Sequence, residues 1–260
     1  MRWGVLVLLV GLAVAGCKAQ VSTKEMAGRD FPSPVADLGV LAQRLKGMQA
    51  QWPKRKIPIN CAKIKCVALT FDDGPGEYTA DLLDLLRKRN VRSTFFVVGQ
   101  MVAEDRDGNL PRMVEDGHEL GNHSWSHAQL TSLSSSDIKA ELARTQAIVK
   151  DKTGVTMQVM RPPYGSTDGR VAAECRREGL AQILWNVDTL DWRDRYASVV
   201  ARRASAATPG SIVLLHDIHR STVAAVPSLI SSFSRRGYTF VTVSELYGKR
   251  PAPGRKYTER

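Results

Sequence analysis

The chain has little cysteine, few aromatics, a shortage of acid and no apolar run long enough to cross a membrane. Four cysteines in 260 residues cannot form a disulfide scaffold, so burial must supply most of the stability and any bridge acts as a local staple. Aromatics at 7%, hydrophobics at 43% and charged residues at 24% are ordinary globular usage and exclude a disordered, collagenous or polytopic membrane protein. Acidic residues number 26 against 37 basic ones, a net charge of +11, which draws the chain towards anionic polymers and membrane surfaces. No internal repeat is present, and the length suits one large domain or two small ones.

The apolar stretch at the start covers residues 4–16, behind Met1-Arg2-Trp3, and falls short of the about 20 residues that a spanning helix needs. A basic start, a short apolar run and small residues at its end predict a secretory signal over 1–16, hence work outside the cytoplasm. The ending, Val14-Ala15-Gly16-Cys17, resembles the bacterial lipobox. That resemblance implies acylation of Cys17, membrane contact through it, and a lipoprotein facing the cell wall. A plain cleaved signal would leave the protein secreted.

From Cys17 onward, residues 17–60 hold several prolines and one weak helical patch, with Leu38, Leu41 and Leu45 at helical spacing, and read as a tether. The far end, 248–260, carries Lys249, Arg250, Arg255, Lys256 and Arg260 without an apolar period, and reads as a disordered basic tail. One domain, 61–247, remains. Within it β-rich runs at 67–71, 93–98, 118–122, 157–160, 181–186, 211–215 and 238–243 alternate with helical stretches at 78–88, 136–152, 168–177, 197–207 and 222–236. Alternation of that kind predicts an α/β fold with a mostly parallel sheet and helices outside it.

Nearly every cluster of chemically capable residues follows one of the apolar runs. Asp72-Asp73-Gly74-Pro75, His123-Ser124-Trp125-Ser126-His127, Arg161-Pro162-Pro163-Tyr164-Gly165, Asp188-Thr189-Leu190-Asp191-Trp192 and His216-Asp217 each stand directly after a predicted strand. In parallel α/β architectures the carboxyl ends of the strands form one face, and that face hosts active sites. His123 and His127 are four apart, which sets both imidazoles on one side of a helical turn. With one of the two adjacent aspartates they make three protein ligands, the number a catalytic metal site uses while keeping a position open; the other aspartate is free to accept a proton. His118 and His219 lack such support and read as structural. Cys61 and Cys66 enclose four residues ahead of the first strand and, in an oxidising compartment, read as a disulfide loop. Cys175 is left as a buried free thiol.

Together with Thr70-Phe71 before the first cluster and Leu214-Leu215 before His216, these five motifs, in this order, resemble those of the polysaccharide deacetylase family, the NodB-homology domain or carbohydrate esterase family 4. The resemblance spans about residues 61–247. It implies a distorted (β/α) barrel of about seven parallel strands, with the active site at their C-terminal ends, and metal-dependent removal of acetyl groups from sugars. It further implies that Asp73, His123 and His127 hold the metal and that Asp72, fixed by Arg161, is the general base. His216, oriented by Asp191, would be the general acid. The Tyr164 backbone N–H would stabilise the oxyanion, and Trp192 with Leu214 would receive the acetyl methyl group.

The chemistry is coherent on its own terms, because amide hydrolysis needs an activated water, a base and an acid that protonates the departing amine. Zinc is the expected metal, with cobalt or nickel also suited to an Asp/His/His set. The expected substrate is peptidoglycan N-acetylglucosamine, then chitin oligosaccharides, then acetylxylan. A monomer without a nucleic-acid partner is expected. A metallohydrolase of another class is disfavoured by the absence of His-Glu-x-x-His, and a glycan-binding lipoprotein without turnover would have no need of both Asp72 and His216.

Overall fold

A computed structural model describes residues 59–260. The expected signal segment 1–16, Cys17 and the expected tether up to residue 58 lie outside the described residues, among which no helix is long and apolar enough to cross a membrane.

Strand β1 (Cys66–Asp72) is buried along its whole length, as a strand covered on both faces must be. It lies inside a parallel sheet with β2 (Thr94–Val97), β3 (Glu119–Asn122), β4 (Val159–Met160), β5 (Ala181–Ile183), β6 (Val187–Asp188), β7 (Ile212–His216) and β9 (Lys256–Tyr257) in the order β6-β7-β1-β2-β3-β4-β5-β9. A further strand, β8 (Thr239–Phe240), pairs with the start of β1. The helices are α1 (Thr79–Lys88), α2 (Gly99–Glu104), α3 (Asn109–Glu115), α4 (Ser135–Thr153), α5 (Gly169–Arg177), α6 (Ala197–Ala204), α7 (Arg220–Arg235) and α8 (Val243–Tyr247). This is the expected α/β distorted barrel.

Alternation along each strand decides what faces where. Val67, Leu69 and Phe71 of β1, Phe95 and Val97 of β2, and Val213 and Leu215 of β7 pack outward with Leu82, Leu83 and Leu86 of α1 and Val226, Leu229 and Phe233 of α7. Cys66, Ala68, Phe96, Val159, Ala181, Ile183 and Ile212 form a second cluster on the inner face. The same parity turns Asp72, Arg161, Leu214 and His216 inward, so the site is built from inner-face positions where strands end.

Three sequence expectations change. The run 181–186 holds only β5, with β6 beginning just beyond it, and 238–243 holds only the short β8 before α8 begins, its start fixed by a Thr242/Glu245 capping box. Helices α2 and α3 went unpredicted because each is under two or so turns, too short for a period to register. The tail 248–260 is not disordered. Within it β9 pairs with β5, Gln182 Nε2 donates to the Gly254 carbonyl at 3.0 Å, and the Arg260 N–H reaches the Gly210 carbonyl at 3.0 Å. Gly254 takes φ 74° hard against the Ala172 carbonyl, where a side chain would collide. Backbone pairing and turn geometry hold this segment, so an apolar-period reading missed it.

Candidate active site

Asp72 ends β1 opposite His216 of β7 in the parallel register, which brings two residues far apart in sequence to one rim. Asp73 follows with φ 77° and its N–H bonded to the Phe96 carbonyl at 3.2 Å. Strand parity already turns Asp72 inward, and the left-handed turn at Asp73 takes the chain out of the alternation that would point Asp73 to the outer face, so that its carboxylate also meets the rim. Gly74 lies so close to the Asp217 carboxylate that no Cβ fits there. Asp217 in turn accepts from Thr79 Oγ1 at 2.5 Å, and that oxygen accepts from the Gly76 N–H at 2.8 Å, so the turn is pinned from below.

Asp72 is buried, and Arg161 Nη1 donates to its Oδ1 at 2.7 Å. Arg161 is itself wholly buried, with Nη1 also on Thr70 Oγ1, Nε on the Ile183 carbonyl and Nη2 on the Leu184 carbonyl. A buried guanidinium held by four hydrogen bonds is a rigid post, and it leaves Oδ2 of Asp72 facing the site.

His123 Nδ1 lies 2.7 Å from the Arg161 carbonyl, a bond in which the ring nitrogen must donate, so the Nε2 lone pair points into the site. His123 Nε2 stands 3.4 Å, and His127 Nε2 3.3 Å, from Asp73 Oδ1. The pair does not sit on a helical turn as expected. Residues 123–127 form an irregular bend with Ser124 at φ 64° and His127 at φ 56°, and those two residues rather than a helical period turn the rings together, with centroids 4.9 Å apart. Glu141 of α4 holds the bend by accepting from the Trp125 and Ser126 N–H groups at 2.8 and 2.9 Å.

The donor set fits a divalent cation. One carboxylate oxygen and two imidazole nitrogens converge, and the buried Asp73 Oδ1 accepts no hydrogen bond, an orphaned acceptor of the kind a cation satisfies. Burial works against the Asp73 carboxylate, but the surrounding imidazoles of His123, His216 and His127 outweigh it and hold the carboxyl down at about 2.

Across the rim, His216 Nδ1 is 2.7 Å from Asp191 Oδ1. The fully buried Asp191 also accepts from the Trp192 and His216 N–H groups and from Thr222 Oγ1, at 3.0, 2.8 and 2.6 Å. An acceptor so fully used fixes the proton on Nδ1 and aims Nε2 at the site, 4.0 Å from Asp73 Oδ2. Burial opposes the imidazolium, yet Asp191 overrides it and His216 rises to about 9. His219 stands outside the ligand set, its ring 5.8 Å from that of His216. His118 is buried away from the site, Nδ1 accepting from the Ser93 N–H at 3.1 Å.

Between the groups lies a cleft of about 420 Å³, with Tyr164, Trp185, Trp192 and Leu214 on its walls. Tyr164 takes φ 60°, and its N–H donates no hydrogen bond among the described residues. Cys61 and Cys66 form a disulfide, away from the cleft, and Cys175 is buried and free, its thiol pushed up by burial to about 12. Glu141, Thr222 and Trp185 went unpredicted, and Thr70 was read only as part of a motif without a partner; each is an ordinary residue in its own segment, and only the fold brings it here.

Residues 59–183 match the family model for polysaccharide deacetylase. That span contains Asp72, Asp73, His123, His127, Arg161 and Tyr164, while Asp191, Trp192, Leu214 and His216 lie beyond it. Over 198 residues the chain is 43% identical to the peptidoglycan-N-acetylglucosamine deacetylase PgdA of Listeria monocytogenes, covering 75% of this chain and 42% of that protein. Over 184 residues it is 39% identical to the peptidoglycan-N-acetylmuramic acid deacetylase PdaC of Bacillus subtilis, covering 70% and 38%. The chain thus spans less than half the length of these curated relatives. A solved structure described as "T48 deacetylase with substrate" superposes with a TM-score of 0.73 at 43% identity, over 76% of this chain and 99% of that one. By identity and coverage together, the chain belongs to the polysaccharide deacetylase family.

Proposed function

We propose that this protein is a metal-dependent hydrolase that removes acetyl groups from N-acetylglucosamine units of a polysaccharide, peptidoglycan first, with chitin oligosaccharides second and acetylxylan third. The observation that carries the reading is the opposition of two dyads across one cleft. Asp72 is held by Arg161 and His216 by Asp191, and three metal-ligating groups lie between them.

Asp73, His123 and His127 would hold the metal, with zinc the first choice and cobalt or nickel as alternatives. Bound there, a divalent cation supplies Lewis acidity to the attacking water and to the acetyl carbonyl. Asp72 accepts the proton of that water on Oδ2, the oxygen that Arg161 leaves free. The Tyr164 N–H donates to the carbonyl oxygen as charge develops on it, a contribution of about 2.7 to 4 kcal/mol for such a donor. His216, charged at neutral pH, gives its Nε2 proton to the departing amine, and Asp191 steadies the ring. Trp192 and Leu214 take up the methyl group and exclude water. Export, with anchorage at Cys17, is part of the same reading.

Acetate release from a panel of defined acetylated glycans tests it. Peptidoglycan-derived and chitin oligosaccharides should yield acetate and free amine, and a chelator should abolish both.

A further inference from the structure

His123 and His127 are joined by Ser124-Trp125-Ser126, and nearly every backbone polar group of that connector has a partner. The Ser124 N–H donates to Asn122 Oδ1 at 2.9 Å. The Ser124 and Trp125 carbonyls accept from the Gly99 and Gln100 N–H groups of α2, at 3.0 and 2.9 Å. The two N–H groups that remain, those of Trp125 and Ser126, converge on one atom, Oε2 of Glu141 in α4, at 2.8 and 2.9 Å, and the Ser126 hydroxyl donates to Oε1 at 2.9 Å.

The connector needs such restraint. Ser124 at φ 64° and His127 at φ 56° are left-handed at residues other than glycine, a conformation that persists only where the surroundings over-determine it. Trp125 is fixed as well, with the Arg144 guanidinium 4.0 Å over its ring and the ring filling the space that a side chain at Gly99 would need. Glu141 and Arg144 stand one turn apart on α4, so a single helix face grips the connector through both its backbone and its one large side chain. The His127 imidazole, 3.3 Å from Asp73 Oδ1, takes its place from that grip.

Resting on the metal-dependent reading above, we propose that Glu141 is a positioning residue for the metal: by gathering the Trp125 and Ser126 N–H groups it holds His127 ready before the ion arrives, and so sets the affinity for zinc.

The test separates geometry from charge. Glu141→Gln removes the charge but keeps an amide oxygen, with two lone pairs, where Oε2 now accepts both N–H groups. Glu141→Asp keeps the charge but stops one methylene short. Zinc affinity of the full chain, read by competition with a chromophoric chelator, should fall about 10- to 100-fold in Glu141→Ala, the range for groups that orient metal ligands, and Glu141→Gln should bind zinc more tightly than Glu141→Asp. Cobalt bound in place of zinc should show the wild-type visible spectrum in Glu141→Gln and an altered one in Glu141→Asp. Wild-type zinc affinity in Glu141→Ala, with only its thermal midpoint lowered, would overturn the positioning role. So would Glu141→Asp binding more tightly than Glu141→Gln, and that order decides the matter by itself if Glu141→Ala does not fold. Acetate release on the same samples keeps the two readings apart. Turnover in a wild type that binds zinc no better than Glu141→Ala removes the clamp and leaves the deacetylase; the expected order of zinc affinities without turnover does the reverse.

Discussion

Asp72 and Asp73 share one turn, yet Asp72 meets the buried Arg161 and Asp73 meets two imidazoles. Substitutions among the groups around Asp73 and those across the rim should therefore fail differently. His127→Ala removes a ligand and should lower zinc content and acetate release together, whereas His216→Ala should retain zinc near the wild-type level while the rate falls about 10²- to 10⁴-fold, the range of lost acid catalysis. Metal analysis beside the rate assay separates the two. The pH profile tests the His216–Asp191 dyad. His216 is raised to about 9, so the acid is competent below that pH and is lost as pH rises through it. Asp191→Asn removes the carboxylate that stabilises the imidazolium, and the alkaline limb of kcat/KM should move down towards about 6.5; an unmoved limb assigns it to another group. At this scale the sequence spoke for the groups proposed to meet substrate and metal, because carboxylates and imidazoles after apolar runs are chemically conspicuous. It was silent on Glu141 and Thr222, whose partners are backbone N–H groups and a carboxylate distant in the chain.

At the scale of elements, strand parity is what assembles the site: β1 and β7 pair so that Asp72 and His216 both end inward. The strands themselves were legible as continuous apolar runs, since a buried parallel strand needs no alternation to announce it. Short elements and paired tails were not, because β9 holds only Lys256 and Tyr257, and its pairing with β5 and the stacking of Tyr257 on Tyr247 are long-range contacts that leave no local period. Removal of residues 249–260 should accordingly destabilise the domain by about 1 to 3 kcal/mol, through the exposed edge of β5 and the lost bonds at Gly210 and Gln182, and denaturant titration reads it directly. An unchanged midpoint would mean that the segment is dispensable. The Cys61–Cys66 bridge closes a short loop, so its loss in a Cys61→Ser/Cys66→Ser double variant should cost about 2 kcal/mol on the chain-entropy relation. For a domain of this size that is a fall of about 4 to 8 °C in Tm.

For the whole molecule, the parallel sheet gathers the strand ends on one rim, and the cleft there brings together Asp72, His216, Tyr164 and the Asp73, His123 and His127 groups that could hold a metal. The charge of +11 favours encounter with an anionic polymer, so kcat/KM on an acidic glycan should fall with ionic strength more steeply than on a neutral one. The account stands most directly on one measurement: acetate released from an N-acetylglucosamine oligosaccharide by purified protein, before and after exhaustive chelation and again after zinc is restored. The account predicts release, its loss with the metal and its return with zinc. Full activity in protein shown by metal analysis to be metal-free would contradict it.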